Sequence, residues 1–260
     1  QAMAANTTGS ENTAFGYQAL DANTTAENNT AIGRLAGTGI TTGGLNTIVG
    51  AAAMQLNSTG ANNVAVGASA LAAALGSDNV AVGKSAGDAV TTGANNILIG
   101  TDAGGALTTG NRNVIVGKDA FSQATTVSDV TAVGFKALET AAGTGHTAIG
   151  YEAGTDVTTA VQGTYVGYQA GYKLTTGNNN VAIGYGSLAN ATTGSPNVAV
   201  GTSALSNCNG VENNAVGTSA MLSLTTGNYN TALGSGAGYY ISTGQYNVSI
   251  GRAANQESQG

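Results

Sequence analysis

Tryptophan is absent from this 260-residue chain, and proline, cysteine and histidine occur once each. One cysteine, Cys208, excludes a framework of internal disulfides. One proline beside 41 glycines, with no glycine at every third position, excludes a collagen triple helix. Charged residues make up only 8% of the chain, about a third of the usual share, and the net charge is −6. That balance offers no basic surface for nucleic acid. No apolar run approaches the length of a membrane span, so membrane insertion is not expected. No charged segment followed by an apolar one opens the sequence, so no signal peptide is expected within it. A nucleophile, base or metal in mutual reach is what an enzyme needs. With His146 as the lone histidine and no Asp series in the glycine-rich turns, neither a catalytic site, nor a metal site, nor a cofactor is expected.

What is present is glycine at about twice its usual share and 42% apolar residues, largely Ala and Val. A disordered chain would combine high net charge with few β-branched residues, and this one does not. The glycines are periodic. A phrase of the form Asn-(Thr/Val)-Ala-(Ile/Val)-Gly recurs fifteen times, and its closing glycines run from Gly16, Gly33, Gly50 and Gly67 to Gly251. Their spacings are 17, 17, 17 and 16 residues, and the series then repeats. The single-residue deletions follow Gly67, Gly134 and Gly201, as expected of a duplicated four-repeat block.

Each place in the repeat has its own chemistry. The residue before the closing glycine is always apolar, and two residues earlier stands Thr, Val or Ile in every repeat but that of Asn214. This alternation in β-formers predicts a short strand with these two columns facing the core. The residue between them, mostly Ala but also Ile48, Leu98, Ile115 and Tyr165, should then form an apolar stripe outside, to be covered by a partner. A second glycine lies seven before the closing one in twelve repeats, often as Thr-Thr-Gly. Two glycines per repeat break any helix and predict two short strands and two corners per turn.

A unit this short buries no face alone, but it does so when stacked on its neighbours. The expected fold is all-β, a parallel β-solenoid of about fifteen turns of 16–17 residues, rising about 4.8 Å per turn to roughly 70 Å. Residues 1–260 read as one repetitive domain, either a segment of a longer fibre or a subunit whose ends stack into a filament. Its core is expected to be thin, a Val/Ile ladder against the Ala that stands three after the glycine. Four before the glycine stands Asn in twelve repeats: Asn12, Asn29, Asn46, Asn63, Asn79, Asn96, Asn113, Asn180, Asn197, Asn213, Asn230 and Asn247. Stacked Asn side chains can bond to one another and to turn backbone, so a structural ladder is predicted. Val130, His146 and Gly163 interrupt it, marking 122–165 as irregular.

The segments Asn-Asn-Val-Ala-Val-Gly-Ala-Ser-Ala at 62–70 and Asn-Asn-Asn-Val-Ala-Ile-Gly at 178–184 resemble the head repeat of trimeric autotransporter adhesins of the YadA type. Asn-Thr-Ala-Phe-Gly-Tyr-Gln-Ala-Leu at 12–20 is similar to repeats of phage tail fibres. The resemblance covers essentially the whole chain. It implies a left-handed β-roll, three chains side by side, and attachment to surfaces. The expected protein is thus a non-enzymatic fibre component, a shaft or head of an extracellular, cell-surface or virion adhesin. A self-assembling extracellular filament is the alternative, and an ice-binding solenoid using the Thr pairs a distant one.

Candidate recognition residues lie just after the closing glycine, where variability marks an outward column that includes Phe135, Tyr151, Tyr168 and Tyr185. The three tyrosines fall in consecutive turns and should stack. With Tyr172, Glu152 and Asp156 nearby, they form a candidate platform for a cell-surface glycan or another surface receptor. The plainer reading is that stacked tyrosines stabilise a sheet surface. For the Thr pairs, the plainer reading is that their hydroxyls bond the turn backbone.

Overall fold

The structure is a computed structural model describing residues 1–255. Among them there is no helix, and fifteen three-residue strands recur once per repeat. The chain divides into two compact units, Gln1–Val130 and Thr131–Gly260. The first carries β1 (Thr13–Phe15) to β7 (Val114–Val116), and the second β8 (Thr131–Val133) to β15 (Val248–Ile250). Within each unit, consecutive strands pair in parallel and in register, Ala14 opposite Ala31 in the first and Ala182 opposite Ala199 in the second. Both units are parallel β-solenoids, and the all-β expectation holds.

The expectation of two strands per turn does not. Each turn has one strand, and the rest of it consists of turns and bends. The cause is backbone conformation. The second and fourth residues after the closing glycine are left-handed, as at Gln18 (φ 54°) and Leu20 (φ 49°), and so is the residue five before it, as at Asn28 (φ 59°). Left-handed residues cannot extend a strand. Stacking still satisfies their N–H groups: Leu35 donates back to the Tyr17 carbonyl at 2.8 Å, and Leu20 donates forward to Ala36 at 3.0 Å.

The phase of the strand is also the reverse of the expectation. The middle residue of each strand points inward: Ala31, Ile48, Ala65, Leu98, Ile115 and Tyr165 are all fully buried. The Thr/Val/Ile residues on either side of it face outward, with Ile32, Ile99, Ile149, Ile183 and Leu233 all exposed. An outer apolar stripe therefore exists, but it is the column before the closing glycine, made of larger residues, with a mixed column of Thr, Val and Ile beside it. The interior is lined by the strand middle, the Ala three after the glycine, the residue after that Ala, and the residue seven after the glycine (Ile40, Val90, Leu107, Val157, Cys208, Leu224).

This core is narrow, and its volumes compensate. Where the strand middle is Ala, a large residue stands four after a neighbouring glycine, as with Ala65 between the turns of Met54 and Leu71. Where the strand middle is large, that place is glycine in at least one neighbouring turn. A Cβ on Gly37 would lie 2.8 Å from Ile48 Cδ1, and one on Gly104 would lie 3.0 Å from Leu98 Cδ2. Tyr165, fully buried, fits because Gly154, Gly163 and Gly171 surround it; a Cβ on Gly154 would lie 2.8 Å from its Cδ2. Close packing leaves no other room for a side chain of that size.

The Asn column forms a continuous ladder in each regular stretch. The Asn46 backbone N–H and Nδ2 both donate to Asn29 Oδ1 at 3.0 Å, while Asn46 Nδ2 also donates to the Gly60 carbonyl at 3.0 Å. Each Asn so joins its own turn to both neighbours. The second glycine of the repeat serves this ladder. No positive φ is required at Gly60, but a Cβ there would collide with Asn57 Nδ2 and with the Gly76 carbonyl. It is a packing glycine, not the conformational one that its place at a corner suggests.

His146 takes the part of an Asn. Its Nε2 lies 2.8 Å from the Ala160 carbonyl, where Asn places its amide N–H, and its Nδ1 accepts from the Gly163 N–H at 3.0 Å, where Asn places its oxygen. Nδ1 must therefore be unprotonated, which fixes a neutral ring with hydrogen on Nε2. Burial holds the His146 pKa below its ordinary value, although the backbone bonds to Ala160 and Gly163 act the other way. With a native pKa below the unfolded one, the unfolded state binds the extra proton. Stability is then full above about pH 6.5 and falls as pH drops through that value toward the lower native one. Thermal melts between about pH 7.5 and 5 are expected to show this loss, about 1.4 kcal/mol for each unit of pKa depression. In His146→Asn the loss should be smaller.

Candidate functional site

The outward aromatic column is the most organised surface feature. Each closing glycine turns the chain out of the strand with φ near +135°, +142° at Gly150 and +133° at Gly167, and the next side chain leaves the sheet. Register then sets successive side chains one strand spacing apart. Tyr151 and Tyr168 have ring centroids 5.0 Å apart with planes 6° from parallel. Tyr168 and Tyr185 follow at 5.1 Å and 7°. Phe135 extends the stack on the other side, 5.2 Å from Tyr151. The three tyrosines remain 43%, 42% and 58% exposed, in chain order.

The polar flank comes from the next residue in each turn. Gln169 Nε2 donates to Glu152 Oε2 at 2.8 Å, tying two turns together. The Lys136 ammonium pairs with Glu139 at 3.1 Å and lies 5.9 Å from the Phe135 ring centroid. Desolvation, then the Glu152 carboxylate, raises the Tyr151 pKa. Tyr172 is raised by desolvation and by Asp156 and Glu152, with Lys136 opposing, which places it in the same electrostatic field. The structure thus brings Tyr151, Tyr168, Tyr185 and Glu152 together, with Tyr172 on the polar flank. Tyr165, from the same stretch, is interior and no part of the platform. The sequence places Phe135 in the same outward column, and the structure adds it to the stack predicted for the three tyrosines. The Lys136–Glu139 pair left no sequence signal, since it depends on turn geometry.

The remaining candidates are structural. Thr41 Oγ1 donates to the Ser58 carbonyl at 3.0 Å, and Thr175 Oγ1 to Thr192 at 2.9 Å. The first Thr of these pairs is bound to backbone, except that Thr192 Oγ1 donates to Asn209 Oδ1 at 3.0 Å, and the second, such as Thr42 and Thr176, is exposed. A flat two-column hydroxyl array is therefore reduced to one column. Cys208 is buried, accepts from Asn213 Nδ2 at 3.4 Å, and has its thiol pKa pushed up to about 11 by burial. It packs the core and is closed to partners. Among the described residues no cluster of His, Cys, Asp and Glu could hold a metal ion, and no helix is long and apolar enough to cross a membrane.

No protein-family model, no curated protein and no solved structure matches this chain.

Proposed function

We propose that this chain is a non-enzymatic structural and adhesive fibre protein, extracellular and borne on a cell surface or a virion. It associates with copies of itself through the outer face of its strands and meets surface glycans through the aromatic stack. The observation that carries the reading is the outer face itself. The residue before the closing glycine is apolar in all fifteen strands, yet it points away from the core. Within each unit this makes a run of outward apolar residues on paired strands, the mark of a surface that another molecule covers. Three copies side by side are what the resemblance to YadA-type heads and tail-fibre repeats implies. A filament of end-stacked copies is the second arrangement that would use the same repeat.

Two regions then divide the work. The Asn ladder and paired backbone hold a stiff scaffold, and the column after the closing glycine is free to vary for recognition. Exposed tyrosine edges and hydroxyls flanked by carboxylate and amide groups suit sugars, which present C–H groups and hydroxyls together. The test is the double substitution Tyr168→Ser and Tyr185→Ser, assayed for binding to glycan-bearing surfaces. A loss of about tenfold or more is expected, since several contacts of about 1 kcal/mol each are removed. Unchanged binding would overturn the adhesive role of the stack.

A further inference from the structure

The spacing of the aromatic stack carries an inference that rests on the adhesive reading and narrows its ligand. Four rings stand in a row at centroid separations of 5.2, 5.0 and 5.1 Å. Parallel rings at that distance are offset-stacked, so each covers part of its neighbour's face. A sugar therefore finds no open ring face at Tyr151 or Tyr168. What the four rings offer outward is their edges, one per turn at the strand spacing, and the three tyrosines add their phenolic oxygens.

A row of identical groups at fixed intervals selects a ligand with the same interval. Pyranose units linked equatorially at both ends form an extended ribbon that advances by about one strand spacing per sugar. Glucose, mannose and N-acetylglucosamine polymers with β-1,4 linkages have this form. Coiled α-1,4 glucans do not, and they fall out of register after one or two units. Charge narrows the choice further. Lys136 is engaged with Glu139, while Glu152 and Asp156 add negative charge to the flank. An acidic polysaccharide would be repelled by it.

We propose that the column Phe135–Tyr151–Tyr168–Tyr185 is a binding site for an extended, uncharged β-1,4-linked polysaccharide lying along the stack, one sugar per turn. The consequence is dependence on chain length. Each added unit is held near the next rung by the units already bound, which is multivalency within one chain.

The experiment is calorimetric titration of the purified full chain with β-1,4-linked gluco-, manno- and N-acetylglucosamine oligomers of about one to six units. The comparison arms are α-1,4 gluco-oligomers and β-1,4 uronate oligomers of the same lengths. For at least one neutral β-1,4 series, affinity should rise several-fold per unit and level off near four units. The α-1,4 and uronate series should stay flat. Tyr168→Phe keeps the stack and removes only one hydroxyl, and should weaken the four-unit ligand by up to about tenfold with the native mass unchanged. Binding without length dependence, or stronger binding of the uronates, would overturn the register match while leaving the adhesive reading intact. So would failure of every neutral series when the Tyr168→Ser, Tyr185→Ser protein still loses surface binding. A changed native mass in Tyr168→Phe would place the stack between copies of the chain and overturn the site itself.

Discussion

Asn96→Asp is expected to destabilise its unit by about 3–5 kcal/mol near neutral pH, the range for a charge buried without a partner. Asn96 is fully buried and both gives and receives. Its Nδ2 donates to Asn79 Oδ1 at 3.1 Å and to the Gly110 carbonyl at 2.9 Å. Its Oδ1 accepts from the Asn113 N–H and Nδ2, each at 3.0 Å. Aspartate retains the accepting side and loses the donating one, so a carboxylate would face Asn79 Oδ1 and the Gly110 carbonyl with no hydrogen between them. Protonation restores a donor, so the penalty should shrink in acid. Asn96→Ala removes both sides and leaves buried backbone groups orphaned, at about 1–3 kcal/mol each. Thermal melts of the two variants at about pH 7 and pH 4 check the pair, with only the Asp variant recovering in acid.

A closing glycine should be nearly as intolerant. Gly100 has φ +134°, and a Cβ there would lie 2.6 Å from both the carbonyl carbon and oxygen of Gly117. Backbone of a paired turn cannot retreat as a flexible side chain can, and the backbone conformation itself disfavours any side chain. Gly100→Ala is expected to cost about 4 kcal/mol or more, at the extreme of single substitutions. Gly105→Ala is the control. It has no positive φ, and its nearest neighbour is the Asp102 carbonyl oxygen at 3.3 Å. That change should move stability by about 1 kcal/mol or less. Equal effects in the two variants would mean that the stacked glycines do not set the turn.

The repeat, the strand in each repeat, the Asn column and the tyrosine stack were all legible in the sequence, because each follows from periodicity and side-chain type. The direction of the strand was not. Alternating Val-Ala-Val reads equally well either way, and size argues for burying Val. The interior of a turn this small admits only Ala opposite a large residue, or a large residue opposite glycine, so the larger side chains go outside. A signal for this does lie in the chain: Gly37, Gly104, Gly154 and Gly171 stand next to the turns of Ile48, Leu98, Ile115 and Tyr165. Volume matching between neighbouring repeats fixes the inward column where hydrophobicity alone does not. The single strand per turn was hidden for a different reason. Left-handed conformations at Leu20, Met54 and Leu71 run against residue preference and are held by core burial and by bonds to adjacent turns.

Self-association is the point on which the functional reading turns, since it would cover the apolar residues that face outward from the strands. Mass photometry of the purified chain at nanomolar to micromolar concentration tests it most directly. A species of three times the chain mass of 25.2 kDa is expected, persisting on dilution. A single-chain mass throughout that range would leave the outer face bare in solution and contradict the reading.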